Sequence, residues 1–337
     1  MDEFAAKVLA WYRSHGRHGL PWQVRDPYVR WLAEVMLQQT TVTAVIPYFQ
    51  RFMAAFPNVQ ALARASQDEV LAQWAGLGYY ARARHLHAAA RLIVERYAEG
   101  FPRTAEAWAA LPGVGPSTAA AIVAFAFEVP APILDANARR VLSRYHAVTG
   151  RDGRAQRKLW AHARDHTPAL DVAAYTQAIM DLGALVCRKA PNCAVCPIAQ
   201  GCAFEGKDTP PVRRPRPERA VFMAVIHDPD RGVLLVRRPP HGIWGGLWSL
   251  PESAELTSLP AVVAALGLAG RLGTACAPIR HAFTHFRLSI TPVPIEQVSP
   301  RHDVAKGRDA MWYKGGGPGP GMPAPIRRLL TDYLEVS

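Results

Sequence analysis

The stretch from Leu111 to Leu142, LPGVGPSTAAAIVAFAFEVPAPILDANARRVL, leaves the chain few conformations to choose from. Gly113 and Gly115 permit backbone angles that other residues avoid. Pro116 suits the first turn of a helix, where a missing N–H costs nothing. The pattern predicts a tight glycine hairpin opening a helix whose free N-terminal amides form a seat for a phosphate. That helix should end near Val129-Pro130, and a short apolar run should then deliver Asp135 to the start of a second helix. Taken alone, LPGVG fits a plain turn between two core helices as well.

The chain has 337 residues, a length that suits two domains better than one core. Half the residues are hydrophobic, so a large interior can be built. There is no apolar run near the length of a membrane span, and the acidic, helix-patterned N-terminus MDEFAAKVLAWYRSHG does not read as a signal peptide. The expectation is a cytoplasmic protein with no membrane partner. A net charge of +12 favours a polyanionic partner, most simply nucleic acid.

Read in order, residues 4–13 predict a helix. The breaker-rich LPWQVRDPY carries Arg25, and a long helix is expected from about Tyr28 to Phe56 with Leu32, Val35 and Met36 facing a core. Along it Glu34, Gln38 and Thr41 lie at i, i+4 and i+7, a polar stripe with little charge; a solvated face is the plain alternative. Two more helices are expected over 68–98, separated by Gly76-Leu77-Gly78-Tyr79-Tyr80 and followed by Ala81-Arg82-Ala83-Arg84. Tyrosines beside arginines suit insertion between bases and contact with phosphate, or simply a packed helix junction. Residues 155–185 read as helical again, so the first 200 residues are nearly all helix.

Four of the five cysteines then fall close together: Cys187-x5-Cys193-x2-Cys196-x5-Cys202. Disulfides are a weak reading in a long cytoplasmic chain. Four thiolates at this spacing can hold a 4Fe-4S cluster or a zinc ion, and a single C-x2-C flanked by wider gaps leans toward the cluster. Residues 205–219 form a proline- and arginine-rich linker, expected to be extended and stiff, either gripping DNA backbone or acting as a solvated spacer. After Ala220 the pattern changes to short strands: VFMAVIHD, VLLVRRP and the alternating HAFTHFRLSI of 281–290. A Gly/Pro-rich loop follows from Gly315 to Pro323, then a last amphipathic helix carrying Ile326, Leu329, Leu330 and Tyr333. The predicted organisation is a helical domain over 1–204, the linker, and an α+β domain over 220–337.

The glycine hairpin, the downstream Asp135 and the four-cysteine loop together resemble the helix-hairpin-helix DNA glycosylase superfamily. Within it, EVMLQQT (Glu34–Thr40), GLGYYARAR (Gly76–Arg84), ILDANARRVL (Ile133–Leu142) and a Nudix-like C-terminal part resemble the MutY family of adenine DNA glycosylases. The resemblance implies a multidomain fold: an all-α helix-hairpin-helix glycosylase domain with a 4Fe-4S cluster loop, plus an α+β Nudix-like domain. It implies that Cys187, Cys193, Cys196 and Cys202 hold a 4Fe-4S cluster. It also implies a partner, duplex DNA carrying adenine opposite 8-oxoguanine, for a monomer working in the bacterial nucleoid.

Cleaving an N-glycosidic bond builds positive charge on the sugar and negative charge on the departing base, so a carboxylate near the sugar and a proton donor near the base are both useful, by analogy with glycoside hydrolysis. Asp135 at a helix start suits the first role, though a plain N-cap is the simpler reading of an isolated Asp. Glu34, flanked by Trp31 and Met36, suits the second if desolvation raises its pKa. The resemblance assigns the same two roles. Ser117 stands where the related endonuclease III type has an attacking lysine, which implies base removal without efficient strand cleavage; Asn137 is expected to orient the sugar site or Asp135. The adenine must first be flipped out of the duplex. Gln38 and Tyr79 match the family's wedge residues, with Gln39 and Thr40 beside them. Arg25, Arg82, Leu111, Gly113, Val114, Gly115, Ser117 and Thr118 are expected to hold DNA. Phe283-Thr284-His285 aligns with the family's Phe-Ser-His loop, which senses 8-oxoguanine. Glu252 and Glu255 make no REx2EE-like string, which implies a Nudix hydrolase turned lesion reader. The sequence departs from the family at Ala136, where glycine is usual, at Thr284 in place of serine, and in a first cysteine gap one residue short.

Overall fold

The computed structural model describes residues 2–97, 100–150, 152–206, 215–300, 309–316 and 319–336. Residues 207–214, most of the expected linker, and residues 317–318 in the Gly/Pro-rich loop lie outside the described residues. In chain order the helices are α1 (Glu3–His15), α2 (Pro27–Leu37), α3 (Val42–Ala55), α4 (Val59–Arg64), α5 (Gln67–Trp74), α6 (Ala81–Arg96), α7 (Ala105–Ala109), α8 (Pro116–Phe127), α9 (Ala136–Tyr145), α10 (Gly153–His166) and α11 (Val172–Asp181). Strands follow: β1 (Glu218–Asp228), β2 (Gly232–Arg237), β3 (Trp248–Ser249) and β4 (Glu252–Ser253). Then come α12 (Leu259–Ala265), β5 (Leu268–Leu272), β6 (Ile279–Ala282), β7 (Arg287–Pro300), β8 (Ala310–Tyr313) and α13 (Ala324–Val336). Among the described residues no helix is long and apolar enough to cross a membrane.

Two compact units emerge, residues 1–65 with 84–210, and residues 66–83 with 211–337. The grouping takes 66–83 out of the span read as helical domain from the sequence.

The helical unit is built around α8. Its run Ala119–Phe125 is buried all round, which is why the segment shows no polar face. α2, α7 and α11 pack against it. Trp31 and Trp108 are fully buried, with ring centroids 5.7 Å apart. The helix stops where Glu128 adopts φ 55°, a left-handed cap. Asp181, completely buried at the end of α11, accepts from Arg17 Nε at 2.9 Å and from Gln177 Nε2 at 2.8 Å, so its charge is paired and bonded.

The expected single helix from Tyr28 to Phe56 is two. α2 starts at an Asp26 cap with Pro27 in its first turn and ends at Leu37, and Gln39 turns the chain at φ 58° before Thr41 opens α3. The polar stripe Glu34–Gln38–Thr41 therefore does not lie along one helix: only Glu34 is helical, and Gln38, Gln39 and Thr40 form the turn.

In the second unit β1 and β7 run parallel over Glu218–Ile226 against Arg287–Ile295. β7 also pairs antiparallel with β5 and β6, while β1 pairs with β4 and, at its Asp228 end, with β2, which carries β3 and β8. α12 covers one part of this sheet, placing Leu259 and Val263 on Ala224, Ile226, Leu234, Val293 and Ile295. The segment 281–290, read from the sequence as one strand region, is the turn of a hairpin: β6 ends at Ala282, β7 begins at Arg287, and the Phe-Thr-His triplet lies between them.

Candidate active site

α2 carries Glu34 on the helix that also buries Trp31, Val35 and Met36. The carboxyl keeps some solvent access but is surrounded by protein on nearly every side. Burial, reinforced by the nearby Asp135 charge and opposed by Arg30, pushes its pKa up to about 7. Arg30 sits one turn before Glu34, held over the Phe125 ring at 4.3 Å and donating from Nε to the Val24 carbonyl at 2.6 Å. Its spacing, i to i+4, was the available signal for a role that sequence reasoning missed.

Asp135 is the N-cap of α9. Its Oδ1 accepts from Ala138 N at 2.7 Å, and its Oδ2 accepts from Asn137 Nδ2 at 3.2 Å. Both lone-pair sets are thereby aimed by neighbours from its own helix. Asn137 is in turn fixed by Arg140, whose Nη2 donates to Asn137 Oδ1 at 2.8 Å and to the Gly183 carbonyl at 2.7 Å, while its Nε donates to the Cys187 carbonyl at 2.6 Å. A π-helical turn, Leu182–Val186, brings Gly183 so near that a Cβ there would lie 2.6 Å from Asn137 Cβ. Arg140 did not stand out in the sequence, because it ties its near neighbour Asn137 to the distant carbonyls of Gly183 and Cys187, and Gly183 was legible only as the end of a helical stretch. Ser117 Oγ accepts from Leu134 N at 3.0 Å, anchoring the run that delivers Asp135.

The hairpin has the expected form. Gly113 lies at φ 75° with His85 Cβ 2.6 Å from where its own Cβ would be, and Gly115 caps α8 with open space beside it. Leu111 and Val114 are buried beneath, so these two shape the hairpin while the glycine backbone is what a ligand would meet. Thr118 Oγ1 accepts from Gln38 Nε2 at 3.4 Å, tying the Gln38–Thr40 turn to the first turn of α8. Gln39 is exposed and Thr40 partly so. Arg25 is exposed and paired with Glu128 at 2.5 Å.

Tyr79 and Arg82 belong to the second unit. Tyr79 is 44% exposed with φ 49°, on a loop pinned by Trp74 Nε1 donating to the Gly78 carbonyl at 3.0 Å. Arg82 is turned inward: it is buried, donates to the same carbonyl at 3.2 Å and lies over the Trp74 and Tyr79 rings. Its desolvation lowers its pKa to about 10. The side chain supports the tyrosine loop instead of reaching outward as a phosphate ligand would. Tyr79 OH and Thr284 Oγ1 are hydrogen-bonded at 2.9 Å. Thr284 and His285 are exposed at the hairpin turn, and Phe283 is packed beneath them on Phe286 and Trp244 with ring centroids 4.5 and 5.4 Å apart. Glu252 is paired with Arg238 at 2.5 Å and 2.7 Å.

The four cysteines line one cavity together with Arg144, Val186, Ile198 and Phe204. Arg144 Nη1 donates to Cys187 Sγ at 3.3 Å and to the Arg188 carbonyl at 2.6 Å. Burial first, then the other sulfurs, raise the Cys196 and Cys202 thiols, and backbone N–H groups of Ile198 and Phe204 pull them down. Four mutually repelling sulfurs in one cavity fit a cationic centre that would relieve them, although among the described residues no three His, Cys, Asp or Glu side chains already converge as ligands of a single ion would.

Fold and site define a glycosylase-type DNA repair protein. A family model described as HhH-GPD superfamily base excision DNA repair protein matches residues 32–164, and a NUDIX domain model matches residues 222–332. The adenine DNA glycosylase of Buchnera aphidicola subsp. Acyrthosiphon pisum is 31% identical, the match covering 98% of this chain and 98% of that protein. The Homo sapiens adenine DNA glycosylase is 33% identical over 74% of this chain and 57% of its own length. Among solved structures, a thermostable thymine-DNA glycosylase superposes with a TM-score of 0.54 at 28% identity, covering 60% of this chain and 94% of that one. A non-covalent endonuclease III–DNA complex, at 21% identity and a TM-score of 0.51, shares the fold over 59% of this chain and 92% of its own. The chain belongs to the adenine DNA glycosylase family.

Proposed function

We propose that this protein removes adenine mispaired with 8-oxoguanine (or guanine) from duplex DNA by hydrolysing the N-glycosidic bond, within base excision repair. The observation that carries the reading is the asymmetric carboxyl pair: Glu34, with its pKa raised to about 7, close enough to the capped, hydrogen-bonded Asp135 to feel its charge. A buried carboxyl that keeps its proton, set near a second carboxyl fixed by hydrogen bonds, suits a division of work between acid and anion. Protonated Glu34 donates to the flipped adenine, making it a better leaving group, and Asp135 stabilises the positive charge that grows on the sugar. Asn137 and Arg140 hold Asp135 in orientation. The glycine hairpin, Arg25, Gln38, Gln39, Thr40 and Thr118 engage the DNA, with Gln38 and Tyr79 as wedges.

Ser117 offers no amine, so no Schiff base forms and the enzyme is monofunctional. Cys187, Cys193, Cys196 and Cys202 would hold a 4Fe-4S cluster, which when bound cross-links the loop and stiffens its basic residues Arg188 and Lys189. Phe283, Thr284 and His285 read the 8-oxoguanine. The enzyme acts as a monomer on DNA of the bacterial nucleoid.

The test is a duplex with one adenine opposite 8-oxoguanine, incubated with protein and then treated with alkali. Strand breakage at the adenine appearing only after alkali is expected, with no borohydride-trapped adduct. An intact strand after alkali overturns the activity, a trapped adduct overturns the monofunctional assignment, and a colourless, zinc-loaded protein overturns the cluster.

A further inference from the structure

In the second unit one bulky side chain sits on a backbone conformation that disfavours it. Trp244 has φ 55°, in the left-handed region that suits glycine. Such a residue persists only where its surroundings over-determine it, and positions of this kind cluster at functional sites. Trp244 is buried, and its ring lies against two rings of the β6–β7 hairpin, His281 and Phe283, with centroids 5.5 and 5.4 Å away. The carboxyl chemistry uses neither Trp244 nor the residues that hold it.

What holds it is Arg238, the residue after β2. Its Nη1 and Nη2 donate to the two carboxylate oxygens of Glu252 at 2.5 and 2.7 Å, and its Nε donates to the Ile243 carbonyl at 3.1 Å. The guanidinium carbon lies over the Trp244 ring, 5.8 Å from its centroid. Arg238 thus fixes the backbone immediately before Trp244 and the indole together. The main chain closes the same loop: Arg238 N donates to the Leu247 carbonyl at 2.9 Å, and Leu247 N donates to the Trp244 carbonyl at 3.0 Å. Gly245 leaves no slack, since a Cβ there would lie 2.4 Å from the Pro240 carbonyl oxygen. The ion pair is partly buried and two-pronged, the geometry in which arginine and carboxylate are most directional.

On the far side of this brace stands the Phe283–His285 turn. The Phe283 ring is confined by Trp244, by His281 edge-on at 4.7 Å and by Phe286 stacked at 4.5 Å. Phe283 N donates to the Phe286 carbonyl at 2.9 Å and closes the turn. Thr284, next in the chain, is exposed and bonded to Tyr79. Of the three walls around Phe283, Trp244 alone has a left-handed backbone, so it is the wall that most needs an outside hold.

We propose that Arg238, clamped by Glu252, is a positioning residue for discrimination between 8-oxoguanine and guanine: it holds Trp244 as a wall behind Phe283 and so fixes where Thr284 and His285 stand. The proposal rests on the reading that this turn senses the lesion. Loss of the brace lets Trp244 relax out of its left-handed conformation, and the wall behind Phe283 moves. Glu34 and Asp135 keep their own contacts in the helical unit, so the loss falls on the choice between mispairs. Arg238 and Glu252 act as one device, and removing either removes the shared effect.

The test is single-turnover adenine release by the full-length protein from duplexes with adenine opposite 8-oxoguanine or opposite guanine, with Tm measured beside it. Arg238→Met, which keeps the stem and removes the fork, should lower the ratio of the two rates by about 10-fold, within the roughly 100-fold that a misplacement of about 1 Å can cost. Glu252→Gln should lower the ratio in the same direction, and the double variant should do no worse than Arg238→Met alone. Val263→Ala, which opens a cavity between α12 and the sheet, is the control for lost stability: its Tm should fall and its ratio should stay. If Arg238→Met fails to fold, Glu252→Gln carries the test by itself. An unchanged ratio in the folded variants, a double variant whose loss is the product of the two single losses, or an equal fall in Val263→Ala overturns the proposal. A parent enzyme that treats the two mispairs alike overturns the reading of the turn as lesion sensor, and the brace falls with it.

Discussion

Glu34 carries a cost to the fold that depends on pH. Its ordinary carboxyl would ionise near 4.5, and in the folded protein it keeps its proton to about 7. Between these values the folded state binds one proton more than the unfolded state, so this group's contribution to stability falls as pH rises through that window and then levels off. Glu34→Gln removes the titration. The variant should melt higher than the parent at pH 8, match it more closely at pH 4.5, and lose nearly all adenine release. Equal melting temperatures at pH 8 would show that the carboxyl is not held in its protonated form. The unaltered enzyme should lose kcat/KM above about pH 7 as the acid is spent. Asp135→Asn is a different case: the amide still accepts from Ala138 N, so α9 keeps its cap and duplex binding should persist while turnover drops by at least about 100-fold, the scale of a lost charge-stabilising group. A gel-shift titration beside a single-turnover rate separates the two, and retained turnover would remove Asp135 from the chemistry.

The elements that aim these residues work through close approaches. The π turn Leu182–Val186 lies against Asn137 at Gly183, with no room for a methyl group. Gly183→Ala should force the turn away, breaking the Arg140 bond to the Gly183 carbonyl, and cost about 1–3 kcal/mol in stability as an overpacked site. Turnover should fall with it, seen as a lower Tm and a slower single-turnover rate; if neither moves, the contact is slack. At the β6–β7 turn, Thr284→Ala removes the bond to Tyr79 and the hydroxyl facing solvent. The ratio of rates on 8-oxoguanine and guanine mispairs should shrink while the faster rate changes little, and an unchanged ratio would remove Thr284 from lesion reading. How much of this the sequence revealed follows from the range of each cause. The hairpin, the Asp135 cap and the cysteine spacing were legible because glycine, proline and capping residues act within four positions. The break at Gln38–Thr41 was hidden, since no glycine or proline marks it and the left-handed turn falls on Gln39. The 281–290 alternation hid a hairpin because the Phe-Thr-His triplet keeps strand-like residues through the turn. Arg140, Gly183 and the inward course of Arg82 depend on partners that only the folded chain supplies.

At the scale of the whole molecule the chain does not divide where its composition changes. Residues 66–83 precede the cysteine loop in sequence yet belong to the unit formed by 211–337. The reasons are specific. Asp68 is bonded by both terminal nitrogens of Arg237, at 2.6 and 2.5 Å, and Leu71 backbone lies 2.9 Å from where a Gly321 Cβ would be. Val70, Leu71 and Trp74 of the same segment are fully buried. A fragment ending at residue 206 would keep α5 and the Tyr79 loop but lose the Arg237 bonds to Asp68 and the approach of Gly321 to Leu71, and each large apolar side chain uncovered there would cost roughly 1.5–3 kcal/mol of burial. That fragment should melt at least about 5 °C below the full chain, aggregate more readily, and show fast exchange at the amides of 67–83 while those of α8 stay protected. A milder version tests the same point without truncation: Arg237→Ala should speed exchange in 67–74 and leave α8 unchanged. If the fragment matches the full chain in Tm and in exchange over 67–83, then α5 and the Tyr79 loop do not depend on residues 211–337 for their order.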